Sequence, residues 1–178
     1  MNQVLTPVEY EALRGTVKSF ERKTQLDFLL LTGMRYVEAQ RFQEHPDWFD
    51  KVKGFIHLPE AAQKKVKRKQ KERWVRLNQL GQHATEQFLQ AGPLPGIHGW
   101  NDCIKHWGQQ AGLIGILFSA KITRKTWESW LVMYYPAQFH TIALSQGHTT
   151  ITSLGHYLNL PFTEQDKLGI KKWVEGWI

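Results

Sequence analysis

The sequence has little of several features that identify common protein classes. Its 178 residues include one cysteine, Cys103, which excludes an internal disulfide and a cysteine-based zinc site and indicates a reducing compartment. Apolar runs such as residues 28–31 are far too short to cross a bilayer, and the N-terminus has no basic leader followed by an apolar stretch. We therefore expect one cytoplasmic domain, without a membrane partner, that is long enough to bury a hydrophobic core.

Acidic residues are scarce relative to basic ones. The chain carries 16 acidic and 23 basic side chains, which gives a formal net charge of +7. A charge of this sign favours an anionic partner, most often a nucleic acid. Composition permits a DNA-binding function without establishing it, because many basic proteins bind no nucleic acid.

The N-terminal part of the chain is predicted to be helical. Thr6-Pro7-Val8-Glu9 has the pattern of a capping box with proline at the first helical position. Gly33 tolerates the left-handed conformation that ends a helix, and the helix after it places Arg35 and Glu38 on one face. Helices are predicted over residues 7–20, 23–32 and 35–42.

Two later segments have the pattern of β-strands, Lys53–Leu58 and Glu72–Asn78. The basic segment 63–71 joins them, so we expect an antiparallel hairpin as the one β element. Further helices are predicted over residues 79–90, 101–111, 122–134, 138–146, 150–158 and 163–177. The predicted fold class is mainly α with a small antiparallel β-sheet.

Aromatic residues are the abundant feature of this chain, with eight tryptophans. Four of them fall at helical spacing: Trp127, Trp130, Trp173 and Trp177. This spacing is more typical of core or interface packing than of base stacking, so we assign these residues no site.

Three short motifs contain polar residues suited to phosphate chemistry. They are Thr32-Gly33-Met34-Arg35-Tyr36-Val37-Glu38, Lys121-Ile122-Thr123-Arg124, and the segment from Gly147-His148 to His156-Tyr157. Their two arginines, histidine and tyrosine occur in the order and at nearly the spacing of the active-site boxes of the tyrosine recombinases, the phage-type integrases, which the chain therefore resembles. The resemblance implies the tyrosine recombinase and type IB catalytic-domain fold.

Arginine suits the geometry of a phosphodiester under attack. Arg35 and Arg124 can each donate two parallel hydrogen bonds to phosphate oxygens while staying charged at any working pH. Such preorganised donors are among the largest contributions to catalysis. Either arginine alone is equally compatible with an ordinary ion pair, for instance between Arg35 and Glu38. We expect Glu38 to support Arg35 in the site.

The hydroxyl of Tyr157 is the candidate nucleophile. A free phenol has a pKa of about 10, so holding it ionised at neutral pH costs roughly 4 kcal/mol, which nearby cations must offset. His148, nine residues earlier, can hold the phosphate or help to take the proton, and His156 competes for that role. For a lone histidine and tyrosine at this spacing, core packing is the commoner explanation.

The resemblance also implies a lysine on the hairpin that protonates the leaving 5′ hydroxyl. A gap-free alignment backward from Val75 puts Arg68 at that position, and a turn one residue longer or shorter puts Lys67 or Lys69 there. We favour Lys67 and then Lys69 as catalytic. The remaining basic side chains are expected to contact the DNA backbone or to solvate the hairpin. These DNA-binding candidates are Lys65, Arg68 and Lys71.

Lys121 departs from the family pattern, which usually has histidine three residues before the second arginine. The Lys121-x-x-Arg124 form resembles integrases of archaea and archaeal viruses. Lysine still donates hydrogen bonds to a phosphate oxygen, but it loses the proton exchange near neutral pH that imidazole provides.

The resemblance implies site-specific DNA recombination, integration or excision, through a 3′-phosphotyrosyl intermediate. It implies double-stranded DNA as the partner, a homo-oligomer such as a synaptic tetramer on DNA, and no metal or other cofactor. The chain is expected to be the catalytic domain, with the family's N-terminal core-binding domain absent. The alternatives are DNA relaxation by a type IB topoisomerase, and a DNA-binding regulator or decayed integrase without catalysis.

Overall fold

The computed structural model describes residues 3–63, 71–148 and 152–178. Helix α1 (Pro7–Thr16) begins with the predicted capping box, in which the Thr6 hydroxyl accepts from the Glu9 backbone N–H and Glu9 accepts from that of Thr6. It ends four residues earlier than expected, and Ser19 caps α2 (Phe20–Thr32). Gly33 ends α2 in the left-handed conformation at φ 62°, as predicted.

Helix α3 (Tyr36–Glu44) precedes a small antiparallel sheet with the strand order β1-β2-β3. The two predicted strands are confirmed as β2 (Phe55–Leu58) and β3 (Arg73–Arg76), paired with Ile56 opposite Val75. Strand β1 (Phe49–Asp50) was not expected, because two residues are too few to produce a recognisable alternation of polar and apolar side chains.

The remaining chain is helical, and the predicted fold class is confirmed. Its helices are α4 (Gln79–Gln90), α5 (Ile97–Gln110), α6 (Ile122–Tyr134), α7 (Phe139–Gln146), α8 (Thr152–Gly155) and α9 (Glu164–Val174). The limits of α4 and α6 agree with the prediction, whereas α5 begins four residues earlier and α9 ends three residues earlier. A 3-10 turn, His156–Asn159, follows α8 directly and carries the candidate nucleophile.

Helix α6 lies at the centre of the core and packs against α2, α7 and α9. Trp127 and Trp130 are fully buried on it, and the Trp130 indole N–H donates to the Leu5 carbonyl at 2.9 Å. Trp177 is buried as well, and Trp173 is half-buried with its ring edge-on to Tyr10. Three of these four tryptophans are therefore core residues, and Trp173 packs at the edge of the core. Since α6 also carries Arg124, part of the candidate site is built on a largely buried helix.

The predicted hairpin is seen in part. The base of the β2 and β3 pair is described, but the connecting residues 64–70 are not, so Lys65, Lys67, Arg68 and Lys69 lie outside the described residues. Across the described ranges, every helix is too short or too polar to traverse a lipid bilayer.

Candidate active site

Five of the predicted catalytic side chains line one cleft of about 520 Å³. They are Arg35, Lys121, Arg124, His148 and Tyr157. The same cleft is bordered by Lys125, Glu128 and His156. Residues that are separated by more than 100 positions in the sequence therefore meet where α3, α6, the end of α7 and the turn after α8 converge.

Arg35 occupies the N-cap position of α3, so its backbone is extended and its side chain leaves the helix towards the cleft. Its guanidinium lies 3.5 Å from Glu38 Oε2 and donates to the Gly147 carbonyl at 3.4 Å. Both contacts are long, and the side chain is 25% exposed. Burial lowers the pKa of Arg35 more than neighbouring carboxylates raise it. The guanidinium is thus held loosely and remains available to an anion that enters the cleft.

Glu38, the predicted partner of Arg35, is fully buried and pairs more closely with Arg73 of β3. The two Arg73 terminal nitrogens donate to both carboxylate oxygens, at 2.5 and 2.9 Å. Burial alone raises the pKa of Glu38, but the charge and hydrogen bonds of Arg73 outweigh it and leave the pKa below its usual value. Glu38 therefore stays ionised and neutralises Arg73, which frees Arg35 from a strong ion pair.

Arg124 is buried on the first turn of α6 and fixed by backbone carbonyls. It donates to Gly33 O at 2.8 Å and to Gln146 O, and its Nε lies 3.1 Å from Glu128 Oε1. Burial, the dominant effect, lowers the pKa of Arg124 to about 10, so the guanidinium remains charged at neutral pH. Because a guanidinium has five N–H groups, the two bonds to carbonyls leave three for Glu128 and for a phosphate.

Glu128, one helical turn after Arg124, joins three of the predicted residues. Its Oε1 contacts Arg124 Nε at 3.1 Å and His148 Nε2 at 2.8 Å, and its Oε2 accepts a hydrogen bond from the Tyr157 hydroxyl at 3.4 Å. Burial alone raises the pKa of Glu128, but Arg124 and His148 outweigh it and lower the pKa. An ionised carboxylate therefore lies within reach of the candidate nucleophile.

His148 reaches this carboxylate because Gly147 turns the chain back after α7. Gly147 has φ 73°, and a Cβ atom there would lie 2.9 Å from Arg73 Nη1, so glycine is required on both counts. His148 and Tyr157 line the same cleft.

Tyr157 is 7% exposed, with its hydroxyl in the cleft. Burial, reinforced by the negative charge of Glu128, raises its pKa well above the usual value. The phenol is therefore fully protonated before a ligand binds. The ring of His156 lies against the Tyr157 ring with centroids 4.2 Å apart, so His156 packs on the nucleophile from the solvent side.

Two lysines lie at the mouth of the cleft. Lys121 is exposed at the N-cap position of α6, and Lys125 follows one turn later. Among the described residues neither forms an ion pair. Together with Arg35 they give the entrance a positive charge that suits a polyanion.

Of the predicted DNA-binding residues, Lys71 is described and is exposed just before β3. Arg73 Nη1 donates to Gln63 Oε1 at 2.7 Å, which joins the two ends of the segment that contains the other hairpin candidates. Through Arg73 and Glu38, the base of the hairpin is connected to the helix that presents Arg35.

Sequence reasoning missed Arg73 and Glu128. Arg73 lies within the predicted strand Glu72–Asn78, directly after the basic hairpin segment, and no sequence motif distinguishes it from the other basic residues there. Glu128 lies four positions after Arg124, a spacing that brings an ion pair together on a helix and that offered a usable signal. Within the described ranges, no group of three or more His, Cys, Asp or Glu side chains is arranged to hold a metal ion.

The sequence matches no protein-family model and no curated protein. Solved structures are similar in shape: the XerA recombinase superposes with a TM-score of 0.66 at 15% identity, over 98% of this chain and 66% of that one. The Tn1549 transposon integrase in complex with circular intermediate DNA superposes with a TM-score of 0.66 at 15% identity, over 97% of this chain and 67% of that one. For the integrase from mycobacterium phage Brujita the TM-score is 0.57 at 16% identity, over 97% of this chain and 58% of that one.

These superpositions cover nearly all of the chain, which therefore has the fold of the tyrosine recombinase catalytic domain. The chain spans about two thirds of the length of the XerA recombinase and of the Tn1549 integrase. At this level of identity the likeness concerns the fold alone.

Proposed function

We propose that the protein is a tyrosine recombinase that performs site-specific recombination, integration or excision, on double-stranded DNA. The observation that carries the proposal is the cleft that collects Arg35, Lys121, Arg124, His148 and Tyr157. The fold supports the same conclusion, because similar structures include a recombinase and a transposon integrase in complex with DNA.

In the proposed reaction, the Tyr157 oxygen attacks a DNA phosphorus and forms a 3′-phosphotyrosyl bond as the bond to the 5′ oxygen breaks. The leaving 5′ oxygen takes a proton from a hairpin lysine, Lys67 or Lys69. A 5′ hydroxyl of the partner strand then gives its proton to the hairpin lysine and attacks the phosphorus of the phosphotyrosyl bond, which restores the phosphodiester and releases Tyr157, whose oxygen takes up a proton again. One phosphoester bond replaces another in each step, so the reaction needs no nucleotide hydrolysis.

The cations of the cleft have separate parts in this scheme. Arg124, fixed by two carbonyls, offers a rigid donor to a non-bridging oxygen, and the loosely held Arg35 closes on the phosphate from α3. Lys121 adds a charge at the entrance in place of imidazole. Donors already oriented towards the charge that develops in the transition state contribute about 3 to 4 kcal/mol each in comparable sites.

We propose that residues 1–178 act as one catalytic domain and that several copies assemble on DNA, as a synaptic tetramer would require. A cytoplasmic location on host or viral DNA follows from the same function. The relationship to archaeal and archaeal-virus integrases rests on Lys121-x-x-Arg124 and remains a prediction.

A nicked duplex suicide substrate tests the proposed chemistry. The short strand released after cleavage diffuses away, so the covalent protein–DNA intermediate accumulates and migrates slowly on a denaturing gel. We expect an adduct in the wild-type protein without added metal and none in Tyr157→Phe, which removes only the nucleophilic oxygen. No adduct from a folded protein that binds the same duplex would favour the DNA-binding regulator instead.

A second assay separates the recombinase from a type IB topoisomerase, which shares the cleavage step. Supercoiled plasmids carrying candidate sites are incubated with the protein, and both relaxation and recombinant junctions are measured. Recombinant junctions support the proposal, whereas relaxation of any plasmid without junctions favours the topoisomerase.

A further inference from the structure

Glu128 lies beside the candidate nucleophile and has no role in the reaction proposed above. Its carboxylate is 2% exposed and lies in the cleft among Arg124, His148 and Tyr157. Its Oε1 is held by Arg124 Nε at 3.1 Å and His148 Nε2 at 2.8 Å, which leaves Oε2 directed at the Tyr157 hydroxyl, 3.4 Å away. Within the described part of the chain this is the one hydrogen bond that the hydroxyl makes.

The attacking phenol must lose its proton as the bond to phosphorus forms, and the cleft contains few groups that can accept it. Lys121 offers the three N–H donors of an ammonium group and no acceptor. His156 contacts the ring of Tyr157 rather than its hydroxyl, and His148 Nε2 is directed at Glu128. A carboxylate has the free lone pairs that a proton acceptor needs.

We propose that Glu128 is the catalytic proton acceptor for Tyr157, a role that rests on the proposed strand-cleavage function. The hydroxyl proton passes to Glu128 Oε2 as the Tyr157 oxygen bonds to phosphorus and the 5′ oxygen departs with a proton from the hairpin lysine. Glu128 is left neutral and the phosphotyrosyl bond is formed. In rejoining, the attacking 5′ hydroxyl returns its proton to the hairpin lysine and the departing Tyr157 oxygen recovers the proton from Glu128, so charges and atoms balance over the cycle.

The surroundings of Glu128 couple this transfer to the arrival of DNA. The charged and titratable groups that face it are Arg35 on α3, Arg124 on its own helix, His148 after α7 and Tyr157 after α8. Without DNA, Arg124 lowers the pKa of Glu128, while burial and Glu128 raise that of Tyr157, so the proton stays on the phenol.

A phosphate bound to Arg124 and Arg35 reverses this bias. Its negative charge offsets the arginines and raises the affinity of Glu128 for a proton. The forming bond between the Tyr157 oxygen and phosphorus makes the hydroxyl more acidic at the same moment. Tyr157 therefore becomes a nucleophile only when a phosphate is in place, which protects the enzyme from unproductive ionisation.

The test compares cleavage of two single-turnover substrates, an ordinary phosphodiester and a 5′-bridging phosphorothiolate. Sulfur leaves without protonation, so the modified substrate removes the need for a proton donor but not for an acceptor. Glu128→Gln, which preserves shape, is expected to cleave both substrates at least 100-fold more slowly than the wild type. Lys67→Ala and Lys69→Ala serve as the comparison: the variant that lacks the proton donor is slow on the phosphodiester and recovers on the phosphorothiolate.

Two further measurements separate chemistry from folding. In Glu128→Ala, added acetate should restore part of the cleavage rate, which a purely structural defect would not allow. In the wild type, the rate on the phosphorothiolate should be flat between about pH 7 and pH 9, whereas an unassisted phenol would ionise tenfold more per pH unit. Glu164→Gln, on the exposed first turn of α9, is the matched control and should cleave normally.

Wild-type rates in Glu128→Gln, or its recovery on the phosphorothiolate, would overturn the inference while leaving the proposed function intact. A wild-type rate that climbs tenfold per pH unit up to pH 9 would overturn it without any variant. If the wild-type protein forms no adduct on either substrate, the proposed function itself fails and the role of Glu128 fails with it.

Discussion

Arg73 on β3 and Glu38 on α3 form a buried ion pair in which two guanidinium nitrogens meet both carboxylate oxygens. The pair joins the base of the basic hairpin to the helix that carries Arg35 at its N-cap. Arg73 also binds the Ser145 carbonyl at 3.0 Å and packs against Gly147, next to His148. The Arg73 side chain, which lies outside the cleft, thus links the hairpin base to α3 and to the end of α7.

Removing one member of this pair should destabilise the protein strongly. Glu38→Gln leaves the Arg73 charge buried without a counter-ion, and we expect a loss of about 3 kcal/mol in the free energy of unfolding. Urea denaturation followed by tryptophan fluorescence measures the loss. The control is Glu164→Gln, whose exposed ion pair with Lys167 should contribute less than about 1 kcal/mol. Equal stabilities for the two variants would contradict the assigned role of Glu38.

Stability should fall in acid because of two buried carboxylates. The pKa values of Glu38 and Glu128 in the folded protein lie below their usual value, chiefly through Arg73 and Arg124 acting against burial. Groups with a lowered folded pKa stabilise the protein above their unfolded pKa, about 4.3, and that stability disappears as pH falls through the folded value. Urea midpoints measured from pH 7 to pH 3 should therefore decrease less in Glu38→Gln than in the wild type. An unchanged decrease would show that Glu38 is not ionised in the folded state.

The two arginines of the cleft should respond differently to removal. Arg35→Ala breaks only contacts of 3.4 and 3.5 Å, so we expect less than about 1 kcal/mol of destabilisation together with a 100-fold or greater loss of adduct formation. Arg124→Ala deletes the hydrogen bonds to Gly33 and Gln146 and strips Glu128 of its main cation, so both stability and adduct formation should fall. Thermal melts measure the stability of each variant, and single-turnover gels on the same preparations measure its adduct formation. Arg35→Ala as unstable as Arg124→Ala would mean that Arg35 is structural.

DNA binding should depend steeply on salt. Each phosphate that a lysine neutralises contributes about −0.9 to the slope of log affinity against log salt concentration. Lys71→Ala and Lys121→Ala should each reduce that slope by roughly one contact, measured by fluorescence anisotropy with a labelled duplex from 50 to 200 mM salt. Lys18→Ala, on the loop between α1 and α2, provides the control and should leave the slope unchanged. A shallow slope in the wild type would show that the lysines of the hairpin and of the cleft entrance do not contact DNA phosphates.

Local signals in the sequence predict most of the fold. Thr6 with Glu9 predicts the start of α1, and Gly33 and Gly147 mark the positive φ angles that end α2 and α7. The errors fall where local signals are weak. Strand β1 has two residues, and the break between α1 and α2 at residues 17–19 contains no proline or glycine.

The sequence predicts which residues line the candidate site better than it predicts the hydrogen bonds and ion pairs between them. Arg35, Arg124, His148 and Tyr157 stand in recognisable motifs, and the structure brings them to one cleft. Their partners follow from tertiary packing: the pairing of Glu38 with Arg73 joins residues 35 positions apart, which no periodicity reveals. Glu128 had helical spacing to Arg124, but its contact with Tyr157 joins residues 29 positions apart.

The proposed function requires that Tyr157 become covalently linked to the 3′ phosphate of a cleaved DNA strand. The most direct measurement is mass spectrometry of peptides from a reaction with a 5′-bridging phosphorothiolate duplex, after nuclease trimming of the DNA. We predict a nucleotide phosphate on the peptide that contains Tyr157, a 5′ thiol on the released strand, and neither product with Tyr157→Phe. A trapped adduct on another residue, or intact DNA after prolonged incubation with a folded protein that binds it, would show that Tyr157 is not the nucleophile of a strand-cleaving enzyme.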